Sequence, residues 1–142
     1  MISIAVMALV LQLAADAYPR PDLLTEPADL LRRPDTVRVL DVRGKNQYDA
    51  GHVPGAVSLP HAEIDADALE ALGDRLLVVY CWGPGCNAAQ HAGARIGALG
   101  RQVKEMLGGW EYYVREGWPV EGELVDLYRP DELGLVAVPQ PA

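Results

Sequence analysis

The 142-residue chain contains no phenylalanine, two cysteines and three histidines. Bulky anchoring therefore falls to other aromatics, and Trp110, Tyr113 and Trp118 are read as core anchors. Cys81 and Cys86 are too few for a disulfide framework, and a C-x4-C pair with no second pair lacks the spacing of a zinc site. His52, His61 and His91 are scattered, so no metal is expected. Positive charge is also scarce: 12 Lys and Arg stand against 20 Asp and Glu, a net charge of −8. Without a basic stripe, nucleic acid and anionic membrane surfaces are poor partners. No repeat of solenoid length is visible. The longest apolar run, residues 2–13, falls short of the ~20 residues that span a bilayer.

What is present suits one domain. Half of the residues are hydrophobic, enough for a single core and too short a chain for two. The expected division is an N-terminal extension and linker over 1–22, a folded domain over 23–121 and a tail over 122–142. The apolar run 2–13 has two readings. One is a helix packed on the domain or on a partner, including a second copy in a dimer, in a cytoplasmic protein. The other is an export signal with Ala15-Asp16-Ala17 as its cleavage site, in a periplasmic or secreted one. No Lys or Arg precedes Arg20, which weighs against export.

The organising stretch is Leu76-Leu77-Val78-Val79-Tyr80-Cys81-Trp82-Gly83-Pro84-Gly85-Cys86-Asn87, followed by 88–100. Residues 76–80 are continuously apolar and partly β-branched, which predicts a buried central parallel strand. Gly83, Pro84 and Gly85 force a tight loop. Asn87 and Gln90 have capping-box spacing for a helix whose inner stripe is Ala89, Ala92, Gly93, Ile96 and Leu99, ended by Gly100. Cys81 is then the first residue past the strand, facing inward N–H groups and a helix N-terminus. Those features lower a thiol's pKa, so a reactive thiolate is expected rather than a packing cysteine.

Further elements follow the same logic. A short strand is expected at 23–24, with Thr25 capping a helix through Leu31. Residues 37–42 read as a second strand, 47–50 as a helical turn and 56–59 as a third strand. Residues 64–72 form an acidic amphipathic helix ended by Gly73, 102–106 the last strand and 110–116 the last helix. Gly108 and Gly109 allow a sharp turn close to the Cys81 loop. Strands alternating with helices imply a parallel sheet with helices on both faces and a ligand site off the strands' carboxyl ends.

Three stretches resemble the signatures of the rhodanese-like sulfurtransferases, in the family's order. They are the strand, Cys and glycine-rich loop just described, Val39-Leu40-Asp41-Val42-Arg43 with Gly51-His52-Val53-Pro54-Gly55-Ala56 and Leu59-Pro60, and Gly108-Gly109-Trp110 with Gly117-Trp118-Pro119-Val120. The resemblance implies a three-layer α/β fold with a mostly parallel five-stranded sheet. It implies sulfur transfer through a persulfide on Cys81, with the loop of Trp82, Gly83, Pro84, Gly85, Cys86 and Asn87 binding the donor through the backbone N–H groups it has, Arg43 near the site mouth, and neither metal nor organic cofactor. Substrates would be thiosulfate or a persulfide, with cyanide, a thiol or an acceptor protein receiving the sulfur. It also implies that Asp41 is structural and that His52 is held by backbone rather than acting as a base.

The loop departs from the family pattern at its end, where Cys86 and Asn87 replace the usual Arg or polar residue. Thiosulfate should therefore bind poorly, and a C-x5-R phosphatase is a poor reading, since its pattern requires Arg where this chain has Asn87. Cys86 is either a loop filler or a second thiol that resolves a Cys81 persulfide. The rival class is a Cys81/Cys86 dithiol redox sensor, or a sulfur-binding module without strong turnover.

Overall fold

A computed structural model describes residues 24–83 and 85–128. The extension, linker and export calls, the last part of the tail and Pro84 lie outside the described residues. The elements run β1 (Leu24–Thr25), α1 (Pro27–Arg32), β2 (Val37–Asp41), α2 (Lys45–Ala50), β3 (Val57–Ser58), α3 (Ala66–Ala71), β4 (Leu76–Tyr80), α4 (Ala88–Ala98), β5 (Val103–Met106) and α5 (Gly109–Arg115). Short 3₁₀ turns occupy His61–Glu63 and Val125–Tyr128.

The five strands form one sheet in the order β1-β5-β4-β2-β3, and every pairing is parallel. β4 lies at the centre because its run of Leu, Val and Tyr tolerates cover on both faces: Leu77, Val78, Val79 and Tyr80 are all fully buried. One face packs Val37, Val39, Val78, Tyr80 and Met106 against α1 and the aromatic side of α5, Trp110 and Tyr113. The other packs Leu40, Leu77, Val79 and Val103 against Leu69 of α3 and Ala89, Ala92 and Ile96 of α4. Each fully buried large aliphatic side chain contributes about 1.5–3 kcal/mol. The sheet, the two helical layers and the core roles of Trp110 and Tyr113 agree with expectation.

Several local expectations fail for identifiable reasons. Thr25 is buried in β1 rather than capping; Glu26 is the N-cap of α1, and Pro27 begins the helix. Asn87 sits at the N-cap of α4 without a side-chain hydrogen bond. Leu99 is 42% exposed because the helix closes before it, in a Schellman motif in which Arg101 N–H reaches the Ile96 carbonyl at 3.2 Å. Gly100, at φ +86°, supplies the left-handed step of that motif. The 3₁₀ turn after Glu121 inserts Tyr128 into the core, edge-on to Trp110 at 5.1 Å and against Gly51, where no Cβ would fit.

Candidate active site

β4 ends at Tyr80 and delivers Cys81 to the carboxyl edge of the sheet, with only 2% of it exposed. The loop behind it is held by α5. Trp110 N–H donates to the Cys81 carbonyl at 2.8 Å, and Glu111 N–H to the Trp82 carbonyl at 2.7 Å. Gly109 makes this approach feasible. It has φ +67°, and a Cβ there would lie 2.8 Å from the Cys81 carbonyl oxygen and 2.9 Å from both Cα and N of Gly83. These two bonds draw the Cys81 and Trp82 carbonyls toward α5. A Cys86 N–H to Gly83 carbonyl bond of 2.9 Å closes the turn.

Around the sulfur, the N–H groups of Gly83 and Ala89 favour the thiolate, but they are outweighed. Burial is the largest influence, followed by hydrogen bonding with the Cys86 side chain, and together they push the Cys81 thiol up to about 12. The thiol also donates to the Cys86 carbonyl at 3.4 Å. The expected thiolate is therefore corrected in direction: burial and Cys86 favour the protonated thiol in the resting site. The helix end and N–H groups are present, yet desolvation wins. Both cysteines are free, and their side chains are neighbours.

Arg43 requires a second correction. It does not stand at the site mouth; its side chain is 1% exposed and committed elsewhere. Its Nε and one terminal nitrogen grip the Asp41 carboxylate at 3.0 and 2.6 Å, and that nitrogen also donates to the Gly51 carbonyl at 2.6 Å. The guanidinium carbon lies 4.7 Å from the Trp110 ring centroid and 4.9 Å from that of Trp82. Arg43 thus ties the loop aromatic Trp82 to the core. Asp41 is structural as expected. It accepts the Arg43 backbone N–H at 3.0 Å and the Tyr80 hydroxyl at 2.7 Å, and that hydroxyl accepts Val53 N–H at 3.1 Å. His52 is held by backbone as expected, with Nδ1 2.7 Å from the Tyr48 carbonyl and its ring stacked on Tyr48.

Of the residues named from the sequence, the structure gathers Cys81, Gly83 and Cys86 about the sulfur. Trp82 packs inward, while Gly85 and Asn87 form an exposed rim. Ala89, whose amide reaches Cys81, and Tyr80, which seals the Asp41 network, were legible from the sequence only as helix stripe and strand core. A small residue in the first turn of a helix carries no side-chain signal, and a strand tyrosine reads as core. Among the described residues no group of three or more His, Cys, Asp or Glu is placed to hold a metal ion, and no helix is long and apolar enough to cross a membrane.

Comparison with known proteins agrees with this geometry. The family model of the rhodanese-like domain matches residues 24–116. The chain belongs to the rhodanese-like domain family. An HTH-type transcriptional regulator of Mycobacterium tuberculosis is 38% identical over 110 residues, covering 76% of this chain and 49% of the regulator. A thiosulfate sulfurtransferase of Pseudoalteromonas translucida is 32% identical over 59 residues, covering 42% of this chain and 55% of that enzyme. The chain thus spans about half the length of these curated relatives. Among solved structures, a Bacillus halodurans protein superposes with a TM-score of 0.69 at 36% identity, covering 80% of this chain and 87% of that one. A thiosulfate sulfurtransferase of Pseudomonas aeruginosa gives 0.63 at 30% identity, covering 71% of this rhodanese-like chain and 19% of the enzyme.

Proposed function

We propose that this rhodanese-like chain is a sulfurtransferase that carries sulfane sulfur on Cys81. The observation that carries the reading is a single thiol at the end of the central strand, with the amides of Gly83 and Ala89 directed at its sulfur and the loop carbonyls drawn away by α5. Such a ring stabilises a developing sulfur anion with dipoles that need no rearrangement. The Cys81 thiol first gives up its proton. Its sulfur then attacks the outer sulfur of the donor, whose S–S bond breaks and releases sulfite from thiosulfate or a thiolate from an organic persulfide. An acceptor thiolate or cyanide attacks the outer sulfur of the Cys81 persulfide and regenerates the thiolate. Because the described loop holds no cation and Arg43 is spent on Asp41, a thiol persulfide or a protein donor suits the site better than thiosulfate. A protein acceptor and a cytoplasmic setting, where thiols stay reduced, fit the same reading. The experiment is sulfur loading of the Cys81→Ser protein, which should fold normally and take up no sulfane sulfur; substantial turnover by that variant would refute the proposal.

A second reading draws on one feature, the neighbouring side chains of Cys81 and Cys86. In it the domain senses persulfide or oxidant through a dithiol, in keeping with the regulator among its relatives. Cys86 attacking a Cys81 persulfide would expel the outer sulfur as sulfide and leave a disulfide. Mild oxidation that yields no intramolecular disulfide would exclude this reading.

A further inference from the structure

We infer that the cleft between the 3₁₀ turn His61–Glu63 and helix α4 is a binding site for a small organic polyanion. The cleft has a volume of about 540 Å³ and is lined by His61, Ala62, His91 and Arg95. Its two walls are tied to the fold: His61 N–H donates to the Val42 carbonyl at 3.2 Å, and His91 N–H to the Asn87 carbonyl at 3.0 Å. His91 and Arg95 stand four apart on α4, which places them one above the other on one helix face.

Three observations set the ligand's chemistry. No acidic residue lines the cleft, although the chain carries 20 acids against 12 basic residues. Several other cations of the chain are already committed: Lys45 to Asp49, Arg43 to Asp41, Arg115 to Glu111, and Arg101 to the carbonyls of Leu69, Gly73 and Arg75. The Arg95 side chain, by contrast, makes no hydrogen bond or ion pair among the described residues, while its carbonyl accepts Leu99 N–H. A guanidinium with two imidazoles presents donors to oxyanions, the Arg in a fork that grips a carboxylate or phosphate with two bonds. The cleft is open, its four lining residues all being exposed, and inorganic phosphate alone would span little of it, whereas a larger polyanion can reach His61, His91 and Arg95 together. Ala62 is the sole apolar residue among the four that line the cleft, which favours a ligand rich in polar groups. The class that fits is a small molecule carrying two or more carboxylate or phosphate groups.

The test uses the full chain, isotope-labelled for NMR, titrated at constant ionic strength with citrate and, separately, inorganic phosphate. Citrate should bind saturably and shift His61, His91 and Arg95, and bind more tightly than phosphate. Arg95→Gln should weaken citrate about tenfold or more, since a lost charge-assisted contact is worth about that factor. Arg33→Gln, an exposed control elsewhere, should leave the affinity unchanged. These changes lie on the surface, so the fold survives them. Non-saturating shifts, equal loss in both variants, or shifts centred on residues 82–87 would each overturn the inference.

Discussion

Replacing Gly109 with alanine tests how α5 builds the Cys81 loop. The residue sits at φ +67°, where an L side chain costs about 1–2 kcal/mol. The added Cβ would lie 2.8 Å from the Cys81 carbonyl and 2.9 Å from two Gly83 backbone atoms, whereas ordinary contact begins at 3.4 Å. Backbone must therefore retreat by about 0.6 Å at the junction of loop and helix, the difference of those two distances. That movement strains the Trp110-to-Cys81 and Glu111-to-Trp82 bonds, each worth about 1 kcal/mol. The expected total is about 3–4 kcal/mol, together with a fall in sulfur loading, because the loop amides lose their orientation. Gly73→Ala is the matched control: its φ is +76°, but a Cβ there meets nothing within 4 Å, so only the conformational cost of about 1–2 kcal/mol remains. Urea unfolding gives the stabilities, and the rate of persulfide formation at saturating donor gives the loop effect. Equal destabilisation by the two changes, with unaltered loading by Gly109→Ala, would refute the reasoning.

Three further outcomes are expected. Asp41→Asn strands the buried Arg43 guanidinium and the Tyr80 hydroxyl, so urea unfolding should show a loss of about 3–5 kcal/mol; a loss under 1 kcal/mol would mean that Arg43 finds another partner, counter to the same buried-pair argument. With the Cys81 thiol near 12 and only its thiolate reactive, the rate of sulfur uptake from thiosulfate should climb about tenfold per pH unit from pH 6 to 9; a plateau near neutrality would show that the thiol is already ionised. Burial raises the Glu105 carboxyl from 4.5 to about 6, so folding holds its proton more tightly and stability falls as pH rises through that window. The full shift corresponds to about 2 kcal/mol, reduced to about 1 kcal/mol by solvent screening of a partly exposed group. Glu105→Gln should thus stabilise by about that amount at pH 8 and by nothing at pH 4.

The parts legible in the sequence were those where several residues demand the same thing. The run 76–80 could only be a doubly covered strand, Gly83 with Gly85 only a turn, and Gly100 only a helix stop. The Gly108–Gly109 turn beside the Cys81 loop was also visible, since two adjacent glycines suit a close backbone approach. What stayed hidden depended on competition between forces. The inward amides at Cys81 were foreseeable, whereas the depth of burial that overrules them depends on α4 and Cys86 closing over the sulfur. Arg43 looked like a loop charge because its partners lie at Asp41, Gly51, Trp82 and Trp110, and only the folded sheet brings these together. Asn87 has the chemistry of a cap but not the backbone geometry, and Tyr128 sits in a segment whose composition marks it as tail.

The most direct test of the central claim is intact-protein mass spectrometry after brief exposure to cysteine persulfide or thiosulfate. The wild-type chain and Cys86→Ser should each gain one sulfur atom, localised to Cys81 and removed by cyanide, while Cys81→Ser gains none. A gain of sulfur by Cys81→Ser, or no gain by the wild-type chain with either donor, would contradict the assignment of Cys81 as the sulfur carrier.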